Sequence, residues 1–380
     1  MKQKNKVSKL LTVLTLALIG GFVGYFIGKM FGGGMTKSEI SPIILFVIIM
    51  LVSLLVIAWH EAGHAFAGMR VGFDFRMYVV GPFLWERQNG RWEFRWNKDI
   101  NKAGGLVLCL PKDSVDLSRR FSILAAAGPI SSLLLSIVAY GLYWFLFRNN
   151  ANHFTGFIVG KYIFISTALM SLLIFIVTAI PSKMGGLYSD GARVLRFQRG
   201  GDTARFEILM MKIIAETTSG TRPKLLRTDE LEEVLEIAKR QNEPFGVYTH
   251  SFLYQNAFDN GDVEKAEKHL LDYIAEAENI PEGFRNMVWL DAAFFYAYTQ
   301  RNYTVAEEYW HQFKPSSIIP KAQILATEAS LSFLKKDFLT ALSKIELATK
   351  ELPNMLDKGL SIALNEKLML LKTEIESETK

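Results

Sequence analysis

The sequence predicts a mainly α protein: a polytopic membrane helix bundle with a small β-hairpin region, followed by a soluble α-solenoid. Three observations predict it. Of the 380 residues 50% are hydrophobic and 21% charged, and the apolar ones crowd before about Pro181, which divides the chain between two solvents. In that first half, apolar runs long enough to cross a bilayer alternate with polar loops. From about Thr203 onward, apolar residues recur at helical spacing among Glu and Lys.

The elements follow in order. Met1–Lys9 carries four lysines and no acid, and the apolar stretch Leu10–Ile27 follows. Lys29 and a second apolar run come soon after, so the stretch reads as a retained signal anchor rather than a cleaved leader. Pro42–Trp59 is eighteen residues without a charge and runs on into His60-Glu61-Ala62-Gly63-His64. Ionisable groups fused to an apolar span cost energy to place, which marks them as functional. Arg70–Arg120 is a polar interval with ten Lys/Arg. Within it Phe83–Trp96 reads as a hairpin around the turn Asn89-Gly90. Trp92, Phe94 and Trp96 alternate with Arg91, Glu93 and Arg95, the period of a half-buried strand. Three tryptophans on such a sheet also suit a lipid headgroup layer.

Phe121–Phe147 and Phe154–Ile180 are the remaining spans, and Pro181 ends the regular pattern. Lys and Arg are rich at the N-terminus, in the Arg70–Arg120 interval and after Pro181. Four spans then place the N-terminus, the hairpin and the C-terminal half in the cytoplasm.

Three places in the second half look alike: Gly261-Asp262-Val263 before Ala266, Arg301-Asn302-Tyr303 before Ala306, and Lys336-Asp337-Phe338 before Ala341. Each reads as a helix-turn-helix junction with a small residue in the second helix. The alanines lie 40 and 35 residues apart, near the period of tetratricopeptide-like repeats, although most positions of that motif are missing. An irregular TPR-like solenoid that binds a protein partner is the expectation.

The formal charge is +5, and no basic stripe is interleaved with stacking aromatics, which argues against nucleic acid. Cys109 is the single cysteine, excluding an intrachain disulfide and a Cys-based zinc ribbon.

The pattern that carries chemistry is His60-Glu61-x-x-His64. On a helix, residues four apart share a face, so both rings can reach one metal ion, and Glu61 lies close enough to reach a metal-bound water as general base. The competing reading is a solvated pair of histidines at a helix end. A catalytic zinc takes three protein ligands. Of the other histidines, His250, His269 and His311 fall in the soluble half and His153 in the outer loop, and Arg70 stands where a third histidine of the longer zinc motif would be. A carboxylate is therefore expected. Among Glu39, Asp74, Glu86, Glu93, Asp99, Asp113, Asp116 and Asp190, only Asp190 adjoins the end of another apolar run on the same predicted side. It reads equally as an N-cap, since Ser189-Asp190-Gly191 is good capping chemistry.

An apolar helix ending in His60-Glu61-Ala62-Gly63-His64, then Gly128-Pro129-Ile130-Ser131-Ser132, then Pro181 with Ser189-Asp190-Gly191, resembles the site-2 protease family of intramembrane zinc metalloproteases. The resemblance covers roughly residues 42 to 200. It implies a three-helix catalytic core, Zn2+ held by His60, His64 and Asp190, Glu61 as base, and cleavage of transmembrane proteins or membrane peptides. Two places depart from it: Thr178 stands where the family often has asparagine, and Gly128-x-x-x-Ser132 replaces Gly-x-x-x-Asn. Gly128 and Pro129 read more simply as close helix packing. The domains expected are an anchor helix (1–40), an intramembrane catalytic core (41–200) and a soluble helical repeat domain (201–380). By family analogy the protein belongs in a bacterial cell membrane, with the C-terminal domain cytoplasmic. Two other classes compete: a catalytically inactive membrane scaffold, and a metal transporter. The intact His-Glu-His-Asp set argues against the first. The confinement of polar ligands to one depth argues against the second.

Overall fold

The computed structural model describes residues 40–88, 91–97, 104–147, 155–184, 187–243, 246–280, 282–315 and 319–379. The expected anchor at Leu10–Ile27, the Asn89-Gly90 turn and His153 lie outside these residues. Three of the described helices are long and apolar enough to cross a membrane: α1 (Pro42–Arg70), α2 (Leu117–Phe147) and α3 (Thr155–Ala179). Between α1 and α2 lie four strands: β1 (Asp74–Val80), β2 (Phe83–Gln88), β3 (Arg91–Trp96) and β4 (Leu106–Leu110). After α3 come the short strands β5 (Lys183–Met184) and β6 (Leu187–Tyr188), then α4 (Asp190–Arg199). The array that follows comprises α5 (Gly201–Ser219), α6 (Thr228–Gln241), α7 (Val247–Asn260), α8 (Val263–Ala275), α9 (Glu282–Tyr298), α10 (Tyr303–Gln312), α11 (Lys321–Leu334), α12 (Phe338–Glu351) and α13 (Lys358–Glu378).

The described residues form two compact units. One takes in the chain up to His64, Ala125–Met184 and Tyr188–Arg193; the other takes in Ala65–Leu124, Gly185–Leu187 and Val194–Lys380.

In the first unit, Leu45, Ile48, Val52 and Val56 recur at spacings of three and four along α1. They form one buried stripe against Leu135 of α2 and Ile158, Tyr162, Met170 and Ile174 of α3. The buried positions of α3 are Ser166, Thr167, Ala168 and Ser171. Small residues there let α2 and α3 approach closely. Ser136 donates to Ala168 O (2.8 Å) and Ser171 to Ser132 O (2.7 Å). Gly63 belongs to the same close packing: a Cβ there would sit 2.6 Å from Ala127 O. Pro129 lies inside α2; its missing N–H removes one helix bond. Ile43, Phe46, Leu134, Ile137 and Phe145 point outward.

In the second unit the strands form one antiparallel sheet in the order β3-β2-β1-β4. The predicted hairpin is present, with Phe83 opposite Trp96 and Gln88 opposite Arg91. Its expected half-burial is not. Trp92, Phe94 and Trp96 are all exposed, because the ladder they build, with Phe83 against Phe94 and Trp96, and Trp85 against Phe94, lies on the surface. Period-two alternation registers a face but not what covers it.

The three look-alike junctions share one backbone solution. Gly261, Arg301 and Lys336 have φ of 79°, 52° and 60°, the left-handed conformation that ends a helix. Asp262, Asn302 and Asp337 then cap the next helix, accepting from Lys265 N, Val305 N and Thr340 N at 3.1–3.2 Å. Four residues past each cap, Ala266, Ala306 and Ala341 are fully buried. Helices α7 and α8, α9 and α10, and α11 and α12 pack as neighbours across these junctions.

Candidate metal centre

His60 and His64 lie on one face of α1, both buried. Their Nε2 atoms are 3.2 Å apart. Asp190, the first residue of α4, brings its Oδ2 to 3.3 Å from His60 Nε2 and 3.5 Å from His64 Nε2. Three ligands of a tetrahedral zinc ion at ordinary bond lengths stand about 3.3 Å apart, so the triangle fits one such ion. His60 Nδ1 lies 3.0 Å from Ser132 Oγ, and the tautomer protonated at Nδ1 leaves Nε2 with a lone pair for a metal ion. Electron pairs packed this closely need a cation or protons among them. The residues present therefore suit a divalent metal. Burial alone would raise the Asp190 carboxyl, but hydrogen bonds and charge from His60 and His64 outweigh it and hold the group below the usual carboxylate range. Glu61, one step round α1, is buried and within electrostatic reach of His64 and Asp190.

The capping reading of Asp190 is answered by its neighbour. Ser189 Oγ accepts from Ala192 N (3.3 Å) and Ser182 N (3.0 Å) and donates to Ile180 O (2.8 Å). Ser189 is the N-cap, which leaves the Asp190 carboxylate turned to the histidines. Gly191 packs on the carbonyl end of Ala179, where a Cβ would fall 2.6 Å from the carbonyl carbon. Only glycine lets the start of α4 sit this close to the end of α3.

Two small residues do more than the sequence reading assigned. Gly128 packs against the His64 ring: a Cβ there would overlap Nε2 and stand 2.5 Å from Cε1. The expected helix packing is present, but the surface in contact is a histidine of the centre. Ser132 is fully buried and contacts His60 Nδ1, while its own carbonyl accepts from Ser171. The Gly128-x-x-x-Ser132 spacing was the available signal. Sequence could not tell which ring the hydroxyl meets. Thr178, which stands where the family often has asparagine, donates to Ile174 O, four residues back on its own helix (2.8 Å).

No curated protein and no solved structure matches the chain. The sequence pattern of Peptidase family M50 matches residues 45–363. That is far longer than the 42–200 stretch on which the sequence resemblance rests, and it reaches deep into the helical array. Over a match of this extent, and with three apolar helices of membrane-crossing length, the chain belongs to peptidase family M50, a family of membrane metallopeptidases.

Proposed function

We propose that the chain is an intramembrane zinc metalloprotease of the site-2 type, hydrolysing peptide bonds in or next to transmembrane segments. The observation that carries this reading is the triangle of His60 Nε2, His64 Nε2 and Asp190 Oδ2, with sides of 3.2–3.5 Å. His60, His64 and Asp190 are the proposed ligands. Zinc, when bound there, supplies Lewis acidity and brings the pKa of a water towards neutrality. Glu61 takes a proton from the attacking water and passes it to the leaving amine. Ser132 fixes the His60 ring from behind, so that Nε2 keeps its direction. Burial of His60, Glu61 and His64 limits competing bulk water.

A substrate helix hides its carbonyls in internal hydrogen bonds and must unwind locally before attack. The β3 edge of the sheet, with one side unpaired among the described residues, suits an unwound strand by β-augmentation. The α5–α13 array is proposed as an irregular TPR-like domain that binds a protein partner. The distribution of Lys and Arg supports a cytoplasmic location for the array, and family analogy alone supports a bacterial cell membrane for the protein.

Zinc content of the detergent-purified protein and cleavage of a transmembrane test substrate decide the reading together. Wild type should hold zinc and cut. Glu61→Gln should keep the metal and lose about 10²–10⁴-fold in rate, and Asp190→Ala should lose cleavage together with the ion held by His60 and His64. A wild-type protein that takes up no zinc at Asp190 would overturn the protease reading in favour of the scaffold.

A further inference from the structure

A second histidine–carboxylate grouping lies in the helical array. His250 on α7 faces His269 and Asp272 on α8, and one ligand atom from each lies within 4.8 Å of the others. Glu276, just past α8, brings Oε1 to 3.7 Å from His250 Nε2, and Asp272 Oδ2 stands 3.9 Å from His250 Nδ1. Residues 269, 272 and 276 are spaced by three and four, so one helical face carries all three.

His250 is 1% exposed. Among the described residues, neither of its ring nitrogens has a hydrogen-bond partner, and nor does His269 Nδ1. Buried polar atoms in this condition cost free energy and call for a partner. Lys239 lies within electrostatic reach of His250. Lys265 and Lys268 also bear on the grouping, and Glu232 opposes them at His269. Asp272 and Glu276 supply the negative charge a divalent ion needs beside these lysines. Both are partly solvent-exposed, at 48% and 37% of the side chain, which leaves a way in from water. Val247, Leu270 and Tyr273 make the apolar wall of the same core cluster.

We propose that His250, His269 and Asp272 bind one divalent transition-metal ion of the zinc class and tie α7 to α8. Two imidazoles exclude Mg2+ and Ca2+, which prefer all-oxygen shells, and the absence of thiolate among the three fits a borderline ion. The ligand atoms stand up to 4.8 Å apart against about 3.3 Å in a closed tetrahedral shell. Binding therefore draws the side chains inward and ties the start of α7 to the end of α8, opposite the Gly261-Asp262 junction. The site is formed wholly by residues outside the proposed catalytic set and does not depend on that reading.

The test uses the full-length protein in detergent, stripped with chelator and titrated with Zn2+ alone, then with Co2+ as the spectroscopic probe. Wild type should take up about two ions per chain and Asp190→Ala about one. His269→Ala combined with Asp272→Asn should also take up about one, and the triple variant none. Asp190→Ala isolates the second site without touching the array. In that protein Co2+ should give the visible absorption of a low-coordinate N/O site, and Zn2+ should raise the unfolding midpoint by several degrees. No uptake by Asp190→Ala, or equal uptake with and without His269 and Asp272, overturns the proposal. Failure of the proposed catalytic site reads differently, as loss of the ion that Asp190→Ala removes.

Discussion

In the three-helix unit, much of the large apolar surface faces outward, Ile43, Phe46, Ile137 and Phe145 among it, while Ser132, Ser136 and Ser171 are buried. In the α5–α13 array the large side chains are inside, Leu231, Tyr254, Leu270, Tyr273, Phe295 and Leu371 among them. Ion pairs such as Arg205–Glu233 lie nearer its surface. The contrast follows from the solvent. Water drives apolar groups together. Lipid does not distinguish Leu in a helix contact from Leu in the acyl chains, so close approach of small residues and interhelical hydrogen bonds must hold the helices. A polar centre can sit among such contacts because the same glycines and serines that pack the helices also shape it.

That comparison can be broken at Gly128. Exposed to ordinary helix propensity, Gly→Ala is stabilising by about 1 kcal/mol. Here the added methyl overlaps the His64 ring, so Gly128→Ala should abolish detectable cleavage and cut zinc affinity at least about 100-fold while helicity is retained. A fully active variant would show that the helices part easily. Ser132→Ala is the gentler probe of the same wall. It removes the His60 partner but leaves the carbonyl that receives Ser171. Zinc affinity and rate should fall about 10–100-fold, and Ser132→Thr should restore part of the loss. An unchanged dissociation constant would make Ser132 a packing residue only.

The array responds to water-phase terms. Asp291 on α9 is buried, and its Oδ2 has no hydrogen-bond partner among the described residues. Burial pushes its pKa up to about 7. The folded array therefore holds this proton more tightly than the unfolded chain does. Its stabilising effect is complete below the ordinary carboxylate pKa and is lost as pH rises through about 7. Asp291→Asn should remove that slope and gain on the order of a few kcal/mol at pH 8 relative to wild type. Melting curves at pH 5 and pH 8 check it, and parallel pH dependence in both proteins would sink it. The smallest effect expected is at a cap: Asp337→Ala should cost about 1 kcal/mol, read as a lower midpoint in urea with the slope unchanged.

Much was legible in the residues. His60, Glu61 and His64 announce themselves because helical spacing of four is a local rule. The spans at Pro42, Phe121 and Phe154 show because length and apolarity are local too. The junctions at Gly261, Arg301 and Lys336 could be picked out by their neighbours, since a cap is made within a few residues of itself. The sequence left Trp92, Phe94 and Trp96 open between a half-buried face and a headgroup-facing surface, because alternation says which side chains share a face and nothing about what lies over it.

By itself, then, the sequence determined the apolar spans, the order of the helices and the histidine pair, all consequences of short-range periodicity and composition. Only the tertiary structure decided that Ser189 takes the cap and frees Asp190, that Ser132 meets His60, that Gly128 makes room for His64, and that His250 meets His269 and Asp272. Each is a contact between residues whose distance in space is set by packing. A close approach of a few ångströms depends on every side chain between two backbones, and no spacing along the chain encodes it.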